Sequence, residues 1–175
     1  MSSKVPVVKQ IAWMSIIPQL IILFIIILIF VQLQVPNPPI IGAIVYWTCS
    51  LGLRYFVPKS HREGMKFTKQ QEFEKAIDSF KNSYEFFTKY RWVDNNRYLT
   101  LLSSSRMCYR EMALCNIAFC YSQIGKGTKA IEYYSLVLEE FPENGLAISG
   151  LAILNSMKEQ VKNTSTENET TSNEA

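Results

Sequence analysis

Between Lys9 and Arg54 the sequence contains no Asp, Glu, Lys or Arg. A soluble core is never free of charge over that length, which excludes one water-soluble domain running the length of the chain. Histidine is almost absent. The single copy, His61, has no cysteine or carboxylate pattern around it that builds a metal site, and it reads as a solvated residue beside a membrane. Glycine is sparse at 7 residues, and no Gly-rich phosphate loop, nucleophile elbow or zinc-protease motif occurs. No catalytic, cofactor-binding or metal residue is therefore assigned, and no enzyme activity is expected. Charge excess is small as well: 18 basic and 15 acidic residues leave +3, which calls for no nucleic-acid partner. A length of 175 residues holds one ordinary domain plus an appendage. Cys108, Cys115 and Cys120 lie seven and five residues apart on one predicted helix and read as reduced, buried thiols.

What is present begins with a run of Ile, Leu, Phe and Val from Ile11 to Val35, and about 20 such residues cross a bilayer as a helix. A signal peptide is the competing reading, against which stand the length of the run and the lack of an A-x-A-like site. Pro18 is a kink position in this first span, placed at about 11–33. The run breaks in a turn at Gln34–Pro39, where three prolines interrupt the helix, and a shorter second span follows at about 39–56. A re-entrant or interfacial segment is its alternative. Lys4 and Lys9 precede the first span, and Arg54, Lys59, Arg62 and Lys66 follow the second, so both termini are expected in the cytoplasm. The basic group Lys59, Arg62, Lys66 and Lys69 abuts the end of a span, where cations meet anionic lipid. The expected location is an integral membrane protein of a bacterial inner membrane, with residues 1–10 cytoplasmic and 11–57 forming a transmembrane hairpin. No ionisable group lies within the spans, so a channel or transporter is not expected.

Beyond Lys59 the composition turns to charged and aromatic residues at helical spacing, and the segment repeats itself. Glu74–Phe80 lines up with Thr128–Tyr134 at a displacement of 54 residues. The same displacement pairs Gly64 with Ala118, Phe67 with Tyr121 and Phe87 with Phe141. In the first copy Phe73, Ala76, Ile77, Phe80, Tyr84 and Phe87 form one apolar stripe at three- and four-residue steps. Small residues at Gly64, Ala76, Ala118 and Ala130 mark where paired helices approach closely.

The second copy resembles the tetratricopeptide repeats, a family of roughly 34-residue helical hairpins, through Leu114, Ile117, Ala118, Tyr121, Gly125, Ala130, Tyr134 and Pro142. The first copy retains Gly64, Phe67, Ala76 and Phe80, with Gln71 at the loop glycine position and Thr88 at the proline position. The fold expected is all-α: a transmembrane hairpin, then a helical-hairpin domain at 59–160 with copies at about 59–90 and 97–142 and a capping helix at 146–160. A polar tail at 161–175 is expected to be disordered. About 20 residues separate the copies beyond the family's spacing. Asp94–Asn96 supplies turn and cap residues there, and the insert reads as lengthened helices meeting at a Trp92–Asn95 turn, with a separate short helix as the alternative.

The resemblance implies a partner groove lined by the first helix of each copy: His61, Met65 and Thr68 in the first, and Met112, Cys115, Phe119 and Ser122 in the second. Such a surface suits an amphipathic helix or an apolar peptide. It is equally open to being covered by the insert or the C-terminal helix. The function expected is a membrane-anchored adaptor or scaffold. Its rival is an accessory subunit bound through its transmembrane hairpin into a larger complex, and homo-oligomerisation through the repeats is a third reading. No cofactor is expected.

Overall fold

The computed structural model describes residues 16–103 and 105–172, with side chains to residue 160. Residues 11–15 of the first span, including Trp13 and Ser15, and the cations Lys4 and Lys9 lie outside the described residues. So do residues 173–175. Every regular element among the described residues is a helix. The chain divides into two units, residues 1–113 and 114–175.

The first unit opens with α1 (Ile16–Gln32) and α2 (Pro38–Phe56), which pack together. Of the three prolines in the turn, Pro38 and Pro39 begin α2 instead of merely ending α1. Proline suits the first helical positions because its missing N–H has no partner there in any case. Asn37 precedes them with φ of 54°, a left-handed conformation that asparagine tolerates. The helices meet at Gly42, where an added Cβ would lie 2.9 Å from Ile27 Cγ1 and 3.4 Å from its Cα. Long side chains face outward: Phe24 is 60% exposed and Trp47 63%. Among the described residues no single helix is long and apolar enough to cross a membrane. Helix α1 is apolar over its 17 described residues, and α2 joined to the next helix has the length but is bent by 68°.

Helices α3 (Lys59–Lys69) and α4 (Phe73–Lys89) form a tight pair. The apolar stripe of α4 turns inward as the periodicity requires, burying Ala76, Ile77, Phe80 and Phe87. Its partner face on α3 carries Gly64, and a Cβ there would sit 2.6 Å from the Phe80 ring. We therefore expect Gly64→Ala to destabilise by about 1–2 kcal/mol, because overpacking against an immobile ring outweighs the helix propensity gained. Gly127, with open space around its Cβ position, is the control. Equal urea midpoints for Gly64→Ala and Gly127→Ala in mild-detergent micelles would refute this.

The turn after α3 recurs after α7 (Tyr109–Gln123). In the first, Gln71 N donates to Thr68 O at 3.1 Å and Glu72 N to Phe67 O at 3.0 Å. In the second, Gly125 N donates to Ser122 O at 3.3 Å and Lys126 N to Tyr121 O at 3.0 Å. Each of these positions is displaced by the same 54 residues, and so is a cation over a ring: Lys75 above Phe67 at 5.8 Å and Lys129 above Tyr121 at 5.4 Å. Both turns place a residue in the left-handed region, Gln71 at φ 61° and Gly125 at φ 73°. Only glycine does so without steric cost. Gln71→Gly should therefore raise stability by about 1 kcal/mol, read as an increase in the thermal midpoint. A lowered midpoint would show that the Gln71 side chain matters more than its backbone strain.

The insert departs from the tall hairpin expected at Trp92–Asn95. Helix α4 ends at Lys89, and two short helices follow, α5 (Arg91–Asn95) and α6 (Arg97–Thr100), before an irregular segment leads into α7 at Tyr109. The separate-helix alternative is what forms, and the second hairpin starts at 109 instead of 97. The reason is tertiary. Leu102 takes φ of 47° and the side chain of Arg97 bonds carbonyls of the loop, neither of which periodicity can register.

The second unit comprises the rest of α7, α8 (Gly127–Glu140) and α9 (Gly145–Ser172). Tyr121 of α7 stacks on Tyr133 of α8 with ring centroids 5.4 Å apart. Helices α8 and α9 pack at Gly150, whose Cβ would fall 2.7 Å from the Tyr134 ring. Asn144 caps α9, its Oδ1 accepting from Ala147 N at 2.8 Å. The helix runs past residue 160 to Ser172, through most of the segment expected to be disordered. No Gly or Pro follows Gly150, so nothing in the local sequence stops it.

Candidate functional site

Helix α7 carries Met112, Cys115, Phe119 and Ser122, four of the seven expected groove residues. It is buried on most sides: Ala113, Leu114, Cys115, Ile117, Ala118, Cys120 and Tyr121 are all buried. Met112, Asn116, Phe119 and Ser122 are half-buried and form the accessible strip at helical spacing. Cys115 drops out of the expected surface at 6% exposure, and Asn116 takes its place. Ser122 turns its hydroxyl back on its own helix, donating to Phe119 O at 2.7 Å. Met65 is half-buried on α3 in the first unit, while His61 and Thr68 are buried there and drop out of the expected surface. Of the repeat signature, Gly64, Ala76, Phe80, Leu114, Ala118, Tyr121, Ala130 and Tyr134 are buried. Phe67 is half-buried, while Gly125 and Pro142 sit exposed at turns.

The first unit holds a buried polar cluster in the insert that periodicity did not reveal. Asp94 is fully inaccessible and accepts from Tyr109 N at 2.7 Å and Arg110 N at 3.1 Å, the opening amides of α7. Arg110 Nε lies 3.4 Å from its Oδ2. Cys108 and Glu111 close a reciprocal cap on the same helix start. Glu111 Oε2 accepts from Cys108 N at 3.3 Å and Cys108 Sγ from Glu111 N at 3.4 Å. Arg97 donates to Ser105 O at 3.0 Å and to Arg106 O, tying the connecting loop to α6. The Asp94–Asn96 run reads as cap residues in sequence. What the sequence did not show is that Asp94 caps a helix 15 residues further on.

The loop between α6 and α7 also reaches the base of the apolar hairpin. Leu102 O accepts from Gln19 Nε2 at 3.2 Å and from Arg54 Nη2, and Leu101 and Leu102 are buried. One carbonyl thus joins both helices of the hairpin to the insert. Thr48 bonds its own helix, donating to Ile44 O at 2.9 Å.

His61 is buried instead of solvated, which corrects the sequence reading. Its ring stands edge-on to Phe80 and Tyr109, each at 5.3 Å, and Nδ1 has no hydrogen-bond partner. Burial drives its pKa down from 6.5 to about 4. Its position on α3 opposite the lysines is the signal that could have placed it inside.

Burial also pushes the Cys108 thiol up to about 12, with the Asp94 carboxylate adding to the effect, which keeps it protonated at neutral pH. Tyr134 is likewise raised to about 12 by burial. The cysteines are all free thiols, and among the described residues no group of three or more His, Cys, Asp or Glu could hold a metal ion. No family model, curated protein or solved structure matches this chain.

Proposed function

We propose that this protein is a membrane-anchored interaction protein. In this reading α1 and α2 hold it in a bilayer, and the helical pairs beyond them recruit a partner protein at the cytoplasmic face. The observation that carries the anchor is the hairpin's inverted character. Its interior contact is made by Gly42 against the Ile27 backbone, while Leu20, Phe24, Ile44 and Trp47 are each more than half exposed. Contiguous apolar surface of that kind is unstable in water and ordinary in lipid, where small residues mediate helix contact. A bacterial inner membrane with both termini cytoplasmic remains the proposed setting.

Support for recruitment is the repeated helix–turn–helix geometry, with matching turns at Gln71 and Gly125 and matching cation–ring pairs. It is the geometry the tetratricopeptide resemblance implies. The accessible strip Met112, Asn116, Phe119 and Ser122 is the proposed contact surface, suited to an amphipathic helix or apolar peptide. The rival reading is a subunit held through its hairpin, with Gln19, Gln32, Thr48 and Ser50 as its interhelical hydrogen-bond sites; of these, Gln19 and Thr48 also bond within the chain.

Two measurements test this. The full-length protein should stay in the membrane pellet through alkaline carbonate extraction, and release into the supernatant would refute the anchor. Affinity purification from native membranes should lose a partner with the Met112→Glu, Phe119→Lys double variant. The same partners recovered with both forms would shift the working surface to the hairpin.

A further inference from the structure

Helix α3 carries Lys59, Arg62, Lys66 and Lys69 at steps of three, four and three. At about 100° per residue they fall within an arc of about 80°. The opposite side of the helix carries the buried residues His61, Gly64 and Thr68, packed toward α4. Lys59, Lys66 and Lys69 are exposed, and among the described residues none of them has a carboxylate partner in an ion pair. A helix with one face in the core and four cations on the other has a definite preferred surroundings, and the direction of that face identifies it.

Arg62 fixes the direction. Its Nη1 donates to Tyr55 O at 2.5 Å, and its guanidinium lies 3.6 Å above the Tyr55 ring centroid. Tyr55 belongs to the last turn of α2 and is 58% exposed. The basic face of α3 therefore looks back along α2, toward the apolar hairpin. The two helices are bent by 68° at Val57–Pro58, so α3 runs closer to perpendicular to α2 than in line with it. With α2 anchored in a bilayer, this geometry lays α3 along the surface with its lysines facing the headgroups.

We propose that the α3 face formed by Lys59, Lys66 and Lys69 binds the phosphates of anionic phospholipids in the leaflet that α2 leaves, with Arg62 pinning the helix at the required angle. This rests on the anchoring proposed above. It adds to it a specific lipid requirement, which sets the tilt of the helical pair α3–α4 above the membrane. Each lysine held near an anionic surface changes association about fivefold, and the effect is screened by salt.

The test uses the full-length protein reconstituted into phosphatidylcholine vesicles containing about one-fifth phosphatidylglycerol, a composition anionic enough for surface attraction to register. Spin-labelled phosphatidylglycerol and phosphatidylcholine report which lipid is held at the protein. The wild type should select phosphatidylglycerol at least about fivefold at low salt, and the Lys59→Gln, Lys66→Gln, Lys69→Gln variant should approach parity. The triple Lys→Arg variant should retain the selectivity, and so should a variant with Gln at Lys89, Lys126 and Lys158. Selectivity that is absent in the wild type, or equal in the Gln variant of α3, overturns the proposal. Carbonate washing of the same vesicles tells the two readings apart: a chain that stays in the bilayer but shows no selectivity removes only the lipid site, and a released chain removes the anchor.

Discussion

Replacing Asp94 with alanine should cost about 3–5 kcal/mol, the largest loss expected from any single side chain here. The carboxylate is fully buried and serves three groups at once: the amides of Tyr109 and Arg110 and the Arg110 guanidinium. Without it the first turn of α7 loses acceptors for two of its opening N–H groups. Arg110, itself 4% exposed, keeps its charge in the interior with its carboxylate gone. Breaking a buried pair by removing one partner is costly for that reason, whereas exposed pairs such as Lys75–Glu72 contribute little. Asp94→Asn keeps the shape and one acceptor oxygen, and should lose roughly half as much. Urea titration of the full-length protein in mild-detergent micelles, followed by circular dichroism, reads both. Midpoints within about 0.5 kcal/mol of the wild type would show that α7 is capped by other means.

The second large effect is a loss of stability in mild acid through His61. In the folded chain burial holds its pKa at about 4, below the 6.5 of an exposed histidine, so between those values the unfolded chain binds more protons. Stability is therefore complete above about pH 6.5 and falls as the pH drops toward 4. For this one group the loss approaches about 3 kcal/mol at the acid end. The ring's neighbours, Phe80 and Tyr109, offer no compensating charge, since burial raises the Tyr109 pKa and keeps that phenol neutral. His61→Phe should retain the edge-on ring contacts and flatten the pH dependence of the urea midpoint between about 5 and 6.5, a window above most carboxylate titrations. An unchanged slope in that variant would assign the acid sensitivity to other groups.

These two predictions concern residues that the sequence handled differently. Asp94 was visible as a cap, because Asp and Asn at a break in helical periodicity carry that meaning regardless of fold. Its target was not visible, since the distance from Asp94 to Tyr109 depends on how the α5–α6 insert turns. His61 appeared solvated because it stands beside a span and among lysines. The burial comes from α4 and the start of α7, neither of which is close to it in sequence.

The helical pairing of α3 with α4 and of α7 with α8 was legible because both copies keep their small residues and rings at one displacement, and close packing demands those shapes. Gly64 against Phe80 is the clearest instance: the missing side chain in the sequence is the space the ring occupies. Cys115 shows the limit. Its spacing on α7 agrees with a groove wall, yet helical phase says only which residues share a face, and that face is covered at Cys115 while accessible at Met112 and Phe119.

By itself the sequence determined that the described chain would be helical, where the turns after α1, α3, α7 and α8 fall, and that two hairpins share one plan. Those properties follow from local rules: periodicity, proline and glycine placement, and the volume of facing residues. The tertiary structure decided how the insert folds, that Leu102 offers one carbonyl to both Gln19 and Arg54, that His61 is enclosed, and that Arg62 of α3 turns back onto Tyr55 of α2. Each of these depends on contacts between residues far apart in the chain. Such contacts are set by the packing of whole helices, which no local pattern encodes.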